Sequence, residues 1–368
     1  MRGRFVPIFA CLCVLSPAEV SAIYGEYRPT GSVPRAPAIT WKLTPTGGGH
    51  IGRVEMRING QPVVAAYNAA SGMIEGKPAA SLTPGLYAVD CEATIENQLV
   101  ARQDWSFVVM SGATAPGNKG AAPIFDAVNA LRTELGLPSM VPDDRISAAA
   151  DAHSLYQNLN GLTCHEEEPD KPGFTGKAPW DRLQHFGVPG PCYEGACGNQ
   201  TDIGKAIRLL FDAPYHRIAF LQPGTPSFGA GFEGGSLTID YAVSDKEGTE
   251  VSPAPDQTGT PLAWDGNESP SPLRVFGADG PVGYPIVFAW YSPKLETIRV
   301  SSAKLTGPNH GEIPAYVNTP GNDSELRFAA VITPKRALAP RTTYTVEVHA
   351  TTERHVRIDR TWSFTTGD

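Results

Sequence analysis

The chain has 368 residues, which is enough for two or three domains of ordinary size, and 41% of them are apolar, so packed cores are possible. Its 30 Lys and Arg residues face 38 Asp and Glu residues, and no long basic run occurs. The formal net charge is −8, and the sequence lacks the clustered Lys and Arg residues with which proteins bind nucleic-acid phosphates. We therefore expect no nucleic-acid partner.

Residues 1–22 have the pattern of a secretion signal. A basic start, MRGR, is followed by the apolar run FVPIFACLCVL and by PAEVSA, whose small residues predict cleavage after Ala22. The apolar run is shorter than the roughly 20 residues that cross a bilayer, and no longer run follows, so we expect no transmembrane helix. The pattern predicts a secreted protein, located outside the cell or in the periplasm.

Two stretches far apart in the chain repeat one pattern. Residues 82–107 read LTPGLYAVDCEATIENQLVARQDWSF, and residues 338–364 read LAPRTTYTVEVHATTERHVRIDRTWSF. In each, a Leu-x-Pro start precedes a Tyr, apolar residues alternate, and the Trp of Trp-Ser-Phe stands 18 residues after the Tyr. Alternation predicts strands with one buried face, and an isolated pair of strands is not stable. Each stretch is therefore assigned to a larger β-domain, over residues 23–110 and 272–368.

Both predicted β-domains resemble bacterial immunoglobulin-like domains, which end in the same Tyr and Trp-x-Phe pattern. The resemblance implies two all-β sandwiches. Trp105 and Trp362 are interpreted as core residues rather than as platforms for sugars. The repeat aligns Cys91 with Val348, so Cys91 is predicted to be a buried thiol at an inward apolar position.

Between the β-domains, residues 123–245 change from alternating to helical spacing. Helix-period patterns recur, and a strand, SLTIDYAV, closes the segment, which predicts an α+β domain. The flanking segments 111–122 and 246–271 are turn-rich, and we expect both to be linkers.

Histidines mark two of the predicted helices and the end of a third. His153 lies on the apolar stripe of PDDRISAAADAHSLYQNLNG, where a packed histidine is predicted rather than a ligand. His185 is expected to be exposed on a helix. A further helix is predicted to begin at the cap Thr201 and to end at Pro214, which places His216 just past its end.

Seven short motifs follow one another in residues 113–245. They read, in order, NALRTELGLP, ISAAADAHS, CHEEEPD, WDRLQHFGV, YEG, APYHR and FGAGF. Their order and spacing resemble the CAP superfamily of cysteine-rich secretory and pathogenesis-related proteins, in its bacterial form. The resemblance implies an α-β-α sandwich with a cleft lined by two histidines and one or two acids. The whole chain is thus predicted to be an α+β multidomain protein, with this sandwich between two all-β immunoglobulin-like sandwiches.

The resemblance also implies which residues line the cleft. Carried over motif by motif, the histidines are His165 and His216 and the first acid is Glu194, while Gly195 replaces the family's Asn. The second acid has no clear match. Four acidic residues are candidates for it: Asp181, Glu166, Glu167 and Glu168.

Two imidazoles and a carboxylate can act in three ways. They can hold a divalent metal such as zinc with an open position for water, which would permit hydrolysis. They can work as general acid and base without a metal. They can also hydrogen-bond the backbone and hold loops together, and spacing alone favours this role because the 8 histidines are scattered. The resemblance favours a cleft site, although it does not by itself favour catalysis.

Three cysteines lie together in the middle segment, and an exported protein can keep disulfides. A Cys192–Cys197 disulfide, closing a short loop around Glu194, is the pairing we favour. Cys164 with either of these two is the alternative, and one of the three can stay unpaired.

Well-known catalytic and nucleotide motifs are absent from the sequence. GAGFEG, residues 229–234, fits G-x-G-x-x-G but precedes a strand and opens no helix, so it does not predict a dinucleotide site. H-E-x-x-H, G-x-S-x-G and a Walker A loop do not occur.

These patterns predict a secreted binding or interaction protein of the envelope or extracellular space rather than an enzyme. The missing match for the fourth cleft residue weakens a catalytic site more than a binding site. The resemblance implies a lipid, an envelope polymer or component, or a protein as ligand. The alternative is a metal-dependent, peptidase-like hydrolase in which His165, His216 and Glu194 activate water, and a purely structural cleft is the third hypothesis.

Overall fold

The computed structural model describes residues 22–29, 31–33, 37–46, 49–83, 85–96, 99–109 and 122–368. Residues 1–21 of the predicted signal segment and nearly all of the first predicted linker lie outside this described part. The chain divides after Val109 into two compact units. Across the described residues, every helix is too short or too polar to cross a membrane.

The N-terminal unit is a β-sandwich, as predicted. Its described strands are β1 (Ala22–Arg28), β2 (Gly31–Val33), β3 (Ile39–Pro45), β4 (Ile51–Ile58), β5 (Gln61–Val63), β6 (Ala65–Asn68), β7 (Met73–Gly76), β8 (Gly85–Ile95) and β9 (Leu99–Val109). They pair in the orders β1-β3-β7-β6 and β2-β9-β8-β4-β5. Trp41 from the first sheet and Met56 and Phe107 from the second share one core, as in face-to-face packing of two sheets.

The internal repeat is confirmed at the level of strand register. In the β8–β9 hairpin and in its C-terminal equivalent, the Trp lies across from the valine two residues after the repeated Tyr. Both tryptophans are core residues, because Trp105 is 8% exposed and Trp362 is 5% exposed. Cys91 and Val348 are both fully buried, as their equivalent positions predict.

The middle of the second unit is a three-layer α-β-α sandwich. Its elements are α1 (Ala122–Glu134), β10 (Val141–Pro142), α2 (Asp144–Asn160), α3 (Pro179–His185), β11 (Cys192–Cys197), α4 (Ile203–Asp212), α5 (Pro214–Phe220), β12 (Ser227–Glu233) and β13 (Ser236–Ala242). The sheet has the order β10-β12-β13-β11. Apolar residues of α1, α4 and α5 form a core with one face of this sheet, and α2 packs on the other face.

Glycines in β12 let α2 approach the sheet closely. A Cβ added to Gly229 would lie 2.0 Å from the backbone nitrogen of Ser147, and one added to Gly231 would lie 2.1 Å from Cα of Asp151. The two glycines of FGAGF therefore serve helix–sheet packing, which agrees with the rejection of a dinucleotide site. The packing buries α2 on nearly all sides, and His153 within it is fully buried, as predicted.

Arg132 ties α1 to the chain that follows α5. Its guanidinium is fully buried and donates hydrogen bonds to the carbonyl oxygens of Pro138 (2.8 Å), Phe220 (2.6 Å), Gln222 (2.8 Å) and Gly224 (2.9 Å). Burial lowers the pKa of Arg132 to about 10, so the group remains charged at neutral pH. Hydrogen bonds from a charged donor are stronger than those between neutral groups, so Arg132 stabilises the packing of these segments against each other.

The region around His216 differs from the prediction in two ways. The helix predicted to start at Thr201 is capped one residue later, because the side chain of Asp202 accepts from the backbone N–H of Lys205. Pro214 does not only end that helix: it is the first residue of α5, a position that suits its fixed φ angle. His216 therefore lies in the first turn of a new helix rather than past the end of the previous one.

The C-terminal part of the second unit is the second predicted β-sandwich. Its strands are β14 (Gly248–Ser252), β15 (Ala263–Trp264), β16 (Val282–Gly283), β17 (Ile286–Tyr291), β18 (Ile298–Thr306), β19 (Ala315–Asn318), β20 (Ala329–Pro334), β21 (Thr343–Thr352) and β22 (Arg357–Thr365). They pair as β14-β17-β20-β19, as β18-β21-β22 and as a β15-β16 pair. The predicted linker 246–271 is thus not a linker, because β14 and β15 lie in it and belong to this β-region.

The sheet that contains β17 and β20 is buried on both faces. Its inward side chains, such as Phe288, enter the sandwich core, while Val287 and Tyr291 pack with Ile218 and Leu221 at the end of α5. The Tyr291 hydroxyl also donates to the carbonyl oxygen of Ile218 at 2.6 Å. The α-β-α sandwich and the C-terminal β-sandwich therefore pack together within one compact unit instead of being joined by a loose spacer.

Candidate functional site

A cavity of about 630 Å³ opens between the α-β-α sandwich and the chain that follows it. This volume lies within the range of ordinary small-molecule sites. Its polar and ionisable lining residues are Thr163, His165, Gln200, His216, Asn267, Glu268 and Ser269. Its apolar lining residues are Ala196, Leu209, Leu210 and Ala213, and Cys164, Cys197, Gly198 and Gly266 complete it.

His216 enters this cavity from the first turn of α5. Its Nδ1 lies 2.9 Å from Oε1 of Glu268, and the same oxygen accepts the backbone N–H of His216 at 3.1 Å. The His216 side chain is 12% exposed and that of Glu268 is fully buried. The sequence did not predict this partner, since Glu268 lies in the segment interpreted as a linker.

His165 faces His216 from the loop after α2. The two ring centroids are 5.6 Å apart with an interplanar angle of 29°. Nδ1 of His165 lies 2.8 Å from Oε1 of Glu194, whose side chain is only 2% exposed. The other carboxylate oxygen of Glu194 accepts a short hydrogen bond from Arg182. The structure thus brings together the two predicted histidines, and it places Glu194 behind His165 instead of among the cavity-lining residues.

A buried ionic cluster lies behind His165. It consists of His153, Glu167, Arg182, Glu194 and Asp240. Nδ1 of His153 lies 2.8 Å from Glu167, and Nε of Arg182 lies 3.8 Å from the same carboxylate. Its side chains have almost no solvent exposure. One arginine therefore serves two buried glutamates, which makes it the central charge of the cluster.

The two carboxyl groups on neighbouring strands of this cluster have opposite pKa shifts. Burial would raise the pKa of Glu194, but the charge of Arg182, with help from His153 and His165, holds it well below its ordinary value. Burial and the negative charge of Glu194 raise the pKa of Asp240 well above its ordinary value. Glu194 and Asp240 pair across β11 and β13, so the negative charge of Glu194 disfavours ionisation of Asp240.

The candidates for the second acid lie outside the cavity lining that the described residues form. Asp181 caps α3, because its carboxylate accepts the backbone N–H of Ala178 at 3.0 Å. Glu166 and Glu168 have side chains that are 70% and 69% exposed. Glu167 is buried against His153. The acid beside the second histidine is Glu268, from beyond the predicted domain.

The predicted Cys192–Cys197 disulfide is not formed. The two residues are the ends of β11, where extended backbone separates their Cα atoms by roughly 16 Å, well beyond disulfide reach. The alternative pairings with Cys164 are not formed either, because all four cysteines in the described part of the chain are free. Cys192 and Cys197 are close in sequence, but the extended strand between them separates them in space.

A three-ligand metal site does not fit these residues. Within the described ranges, no group of three or more His, Cys, Asp or Glu side chains could hold a metal ion. The expected third ligand, Glu194, already uses one oxygen on His165 and the other on Arg182. Two imidazoles without a third side chain do not make the zinc sites that proteins use for hydrolysis.

The geometry predicts how His165 titrates. Partial burial lowers its pKa, but the hydrogen bond to Glu194 and its negative charge outweigh that effect, so the pKa lies above the ordinary value of 6.5. We expect Glu194→Gln to lower the pKa of His165, because the substitution removes the charge that favours the imidazolium. An NMR titration of the ring in both proteins measures this difference.

Glu166→Gln is the matched control, because it removes an adjacent but exposed carboxylate. We expect this control to shift the pKa of His165 much less than Glu194→Gln does. Equal shifts in the two variants would contradict the assigned role of Glu194.

Two residue patterns in the sequence predict features of the site's surroundings that the sequence analysis missed. Arg182 stands in WDRLQHFGV, and an arginine in a helix with buried apolar neighbours needs a buried acidic partner. The run IVFAWY at β17 is apolar without alternation, which is typical of a strand buried on both faces. Reading it in that way would have predicted a partner for the outer face of the C-terminal sheet.

Comparison with known proteins supports the family resemblance of the middle domain. A sequence model of the cysteine-rich secretory protein family, CAP, matches residues 125–244. No curated protein is similar enough to count as a match.

Solved structures show low overall similarity. An extracellular protein with an SCP domain from Bacillus anthracis str. Ames has a TM-score of 0.31 and 14% identity, over 60% of this chain and 67% of its own. CopC from Methylosinus trichosporium OB3b has a TM-score of 0.21 and 16% identity, over 25% of this chain and 96% of its own. The copper resistance protein PcoC from Escherichia coli has a TM-score of 0.19 and 21% identity, over 32% and 94%.

The family match covers the elements from α1 to β13, which are the elements that carry His165, Glu194 and His216. Glu268 lies beyond the matched residues. Residues 125–244 of this chain are therefore a CAP domain of the cysteine-rich secretory protein family, between two β-sheet-rich regions.

Proposed function

We propose that the protein is an extracellular binding protein whose CAP domain holds a small, polar component of a bacterial envelope in the cavity at His165 and His216. The observation that carries this proposal is the cavity itself. It is large enough for a small organic ligand and has two imidazoles on its wall.

The charge of the lining favours an uncharged or weakly charged ligand. In the described structure, the lining residues include neither lysine nor arginine. Sites for phosphate or carboxylate groups normally provide such cations. Thr163, Gln200, Asn267 and Ser269 lie along the cavity and are the residue types that recognise hydroxyl and amide groups, as in saccharides and peptides.

The apolar lining favours an envelope fragment over a lipid chain. Ala196, Leu209, Leu210 and Ala213 supply an apolar part of the lining, and seven of the other lining residues have polar or ionisable side chains. A ligand with both polar groups and a short apolar part matches this composition better than a long acyl chain does. Among the ligand classes considered, a fragment of the envelope polymer is therefore preferred.

Binding is preferred over metal-dependent hydrolysis because of Glu194. A hydrolytic site needs three protein ligands and a free position for water, whereas the oxygens of Glu194 are engaged by His165 and Arg182. The extracellular location rests on the pattern of residues 1–22 and on the secretory family that matches the CAP domain.

Soluble, uncharged oligosaccharide fragments that carry the hydroxyl and acetamido groups of an envelope glycan test this function. In saturation-transfer NMR with the full chain, we expect the fragments to bind the wild-type protein. His216→Ala should weaken binding by about tenfold or more, since it removes a hydrogen-bonding group from the cavity wall.

His185→Ala is the matched control, because this histidine is exposed on α3 and does not line the cavity. Binding should persist in this variant. Wild-type protein that binds no fragment, or variants at His216 and His185 that bind equally well, would contradict the proposal. Vesicles of bacterial phospholipid run in parallel distinguish a lipid ligand.

A further inference from the structure

One wall of the cavity comes from outside the CAP domain. Residues Gly266, Asn267, Glu268 and Ser269 line the cavity, and all four follow the end of the family match at residue 244. Their position is set by the C-terminal β-region, since β15 just before them pairs with β16 and Trp264 packs in a core with Leu273 and Val282.

Glu268 is the residue of this wall that contacts the CAP domain through its carboxylate. Oε1 accepts the backbone N–H of Tyr215 at 2.9 Å and that of His216 at 3.1 Å. The same oxygen lies 2.9 Å from Nδ1 of His216. The carboxylate is fully buried, and two backbone N–H donors and the His216 ring, all from one helical turn, hold it in place.

We propose that Glu268 is the positioning residue of the CAP cleft: it supplies, from the C-terminal β-region, the acid that selects which ring nitrogen of His216 faces a ligand. An ionised carboxylate can only accept hydrogen bonds, so Nδ1 of His216 must carry its proton. In the neutral ring, Nε2 is then the nitrogen left to accept a hydrogen bond. The consequence for ligand choice rests on the proposed function; the consequence for the histidine does not.

This arrangement makes the β-region part of the binding site instead of a spacer. The CAP sequence alone supplies His216 but not the group that orients it. His165 is oriented from within the domain, by Glu194. The two histidines thus use the same chemistry with acids from different parts of the chain, and both present Nε2 as the nitrogen that is not bonded to a carboxylate.

The test measures the tautomer of His216 in the full-length chain. Long-range ¹H–¹⁵N correlation distinguishes a protonated ring nitrogen from an unprotonated one, at about pH 8.5, where an ordinary imidazole is neutral. We expect the wild-type ring to carry its proton on Nδ1. Glu268→Gln should keep this state, because the amide oxygen still accepts, whereas Glu268→Ala should lose it and populate the Nε2-protonated form.

Asp265→Ala is the control, since this residue is an exposed acid in the same segment; it should leave the tautomer unchanged. Envelope-fragment binding is measured on the same samples, and Glu268→Ala should weaken it on the order of tenfold while Glu268→Gln largely restores it. Fragments that fail to bind wild type contradict the proposed function only, because the tautomer is read without ligand.

Two results would overturn the inference about Glu268. The first is a wild-type protein in which His216 carries its proton on Nε2. This result would overturn the inference even if the Glu268→Ala variant does not fold. The second is a folded Glu268→Ala protein in which His216 keeps the wild-type tautomer.

Discussion

Replacing Arg182 with leucine is expected to destabilise the unit of residues 110–368 by about 3–5 kcal/mol, the usual cost of removing one partner from a buried ion pair. Arg182 is fully buried and is the cation that faces both Glu194 and Glu167. Without it, two carboxylates would remain in a site with little access to water. Denaturant unfolding of the wild type and the variant measures the difference in the free energy of unfolding.

The substitution has a pH signature with a defined sign. The pKa of Glu194 is lowered in the folded state, so its contribution to stability is present above its ordinary value near 4.5 and is lost as the pH falls through the folded value. The difference between wild type and Arg182→Leu should therefore shrink in acid. A difference that is constant from neutral to acidic pH would contradict the assignment.

A matched control and a double variant complete this test. Arg145→Leu changes an arginine that is 49% exposed and paired with Asp143, and it should cost less than about 1 kcal/mol. Adding Glu194→Gln to Arg182→Leu should recover part of the lost stability, because it removes one of the stranded charges. An Arg182→Leu protein no less stable than the Arg145→Leu control would refute the central role of the arginine.

The second large effect is expected at Arg217, which joins the CAP domain to the C-terminal β-region. Its guanidinium donates to the carbonyl oxygens of Phe211 (2.6 Å), Asp212 (2.9 Å) and Pro285 (2.7 Å). The guanidinium carbon also lies 4.5 Å from the centroid of the Tyr284 ring. Arg217→Met would leave three buried acceptors without this donor, so we expect a loss of about 3 kcal/mol or more.

Arg208→Met is the control for Arg217→Met, because Arg208 lies on the neighbouring helix with its side chain 49% exposed. It should change the free energy of unfolding by less than about 0.5 kcal/mol. Hydrogen exchange adds a local measurement: amides of β17 should lose protection in Arg217→Met, since Pro285 directly precedes that strand. Unchanged stability together with unchanged exchange would show that Arg217 does not hold the two parts together.

The β-sandwiches were predictable because their signal is local. Alternation along β8 and β9, and again along β21 and β22, places every second side chain in a core, so Trp105 and Trp362 could be assigned from spacing alone. The same reasoning placed Cys91 correctly. The helix α2 was predictable from its acidic cap and its periodic apolar positions.

The errors arose where one local signal has two meanings. Pro214 can end a helix or begin one, and the chain uses it to begin α5. The turn-rich segment 246–271 has the composition of a linker, yet β14 and β15 pair with strands further along the chain. The expected Cys192–Cys197 disulfide failed because closeness in sequence is not closeness in space when the backbone between is extended.

The candidate site was predictable only in part. Motif order predicted His165 and His216 as cleft residues, and the structure places their ring centroids 5.6 Å apart. It also predicted Glu194 in the cleft, whereas this residue lies behind His165 and outside the cavity lining. Glu268 had no motif to mark it, and Arg182 was present in a motif without an assigned role.

The local elements and the CAP domain could be predicted from the sequence, because period, caps and motif order are properties of neighbouring residues. The pairing of charges, in contrast, depends on how whole elements pack. Glu268 reaches His216 across 52 positions of sequence, and Arg182 reaches Glu194 across 12, through packing of whole elements that brings them together. Such contacts depend on where the C-terminal sheet docks on α5, and that docking is set by the summed burial of many apolar side chains rather than by any single stretch of residues.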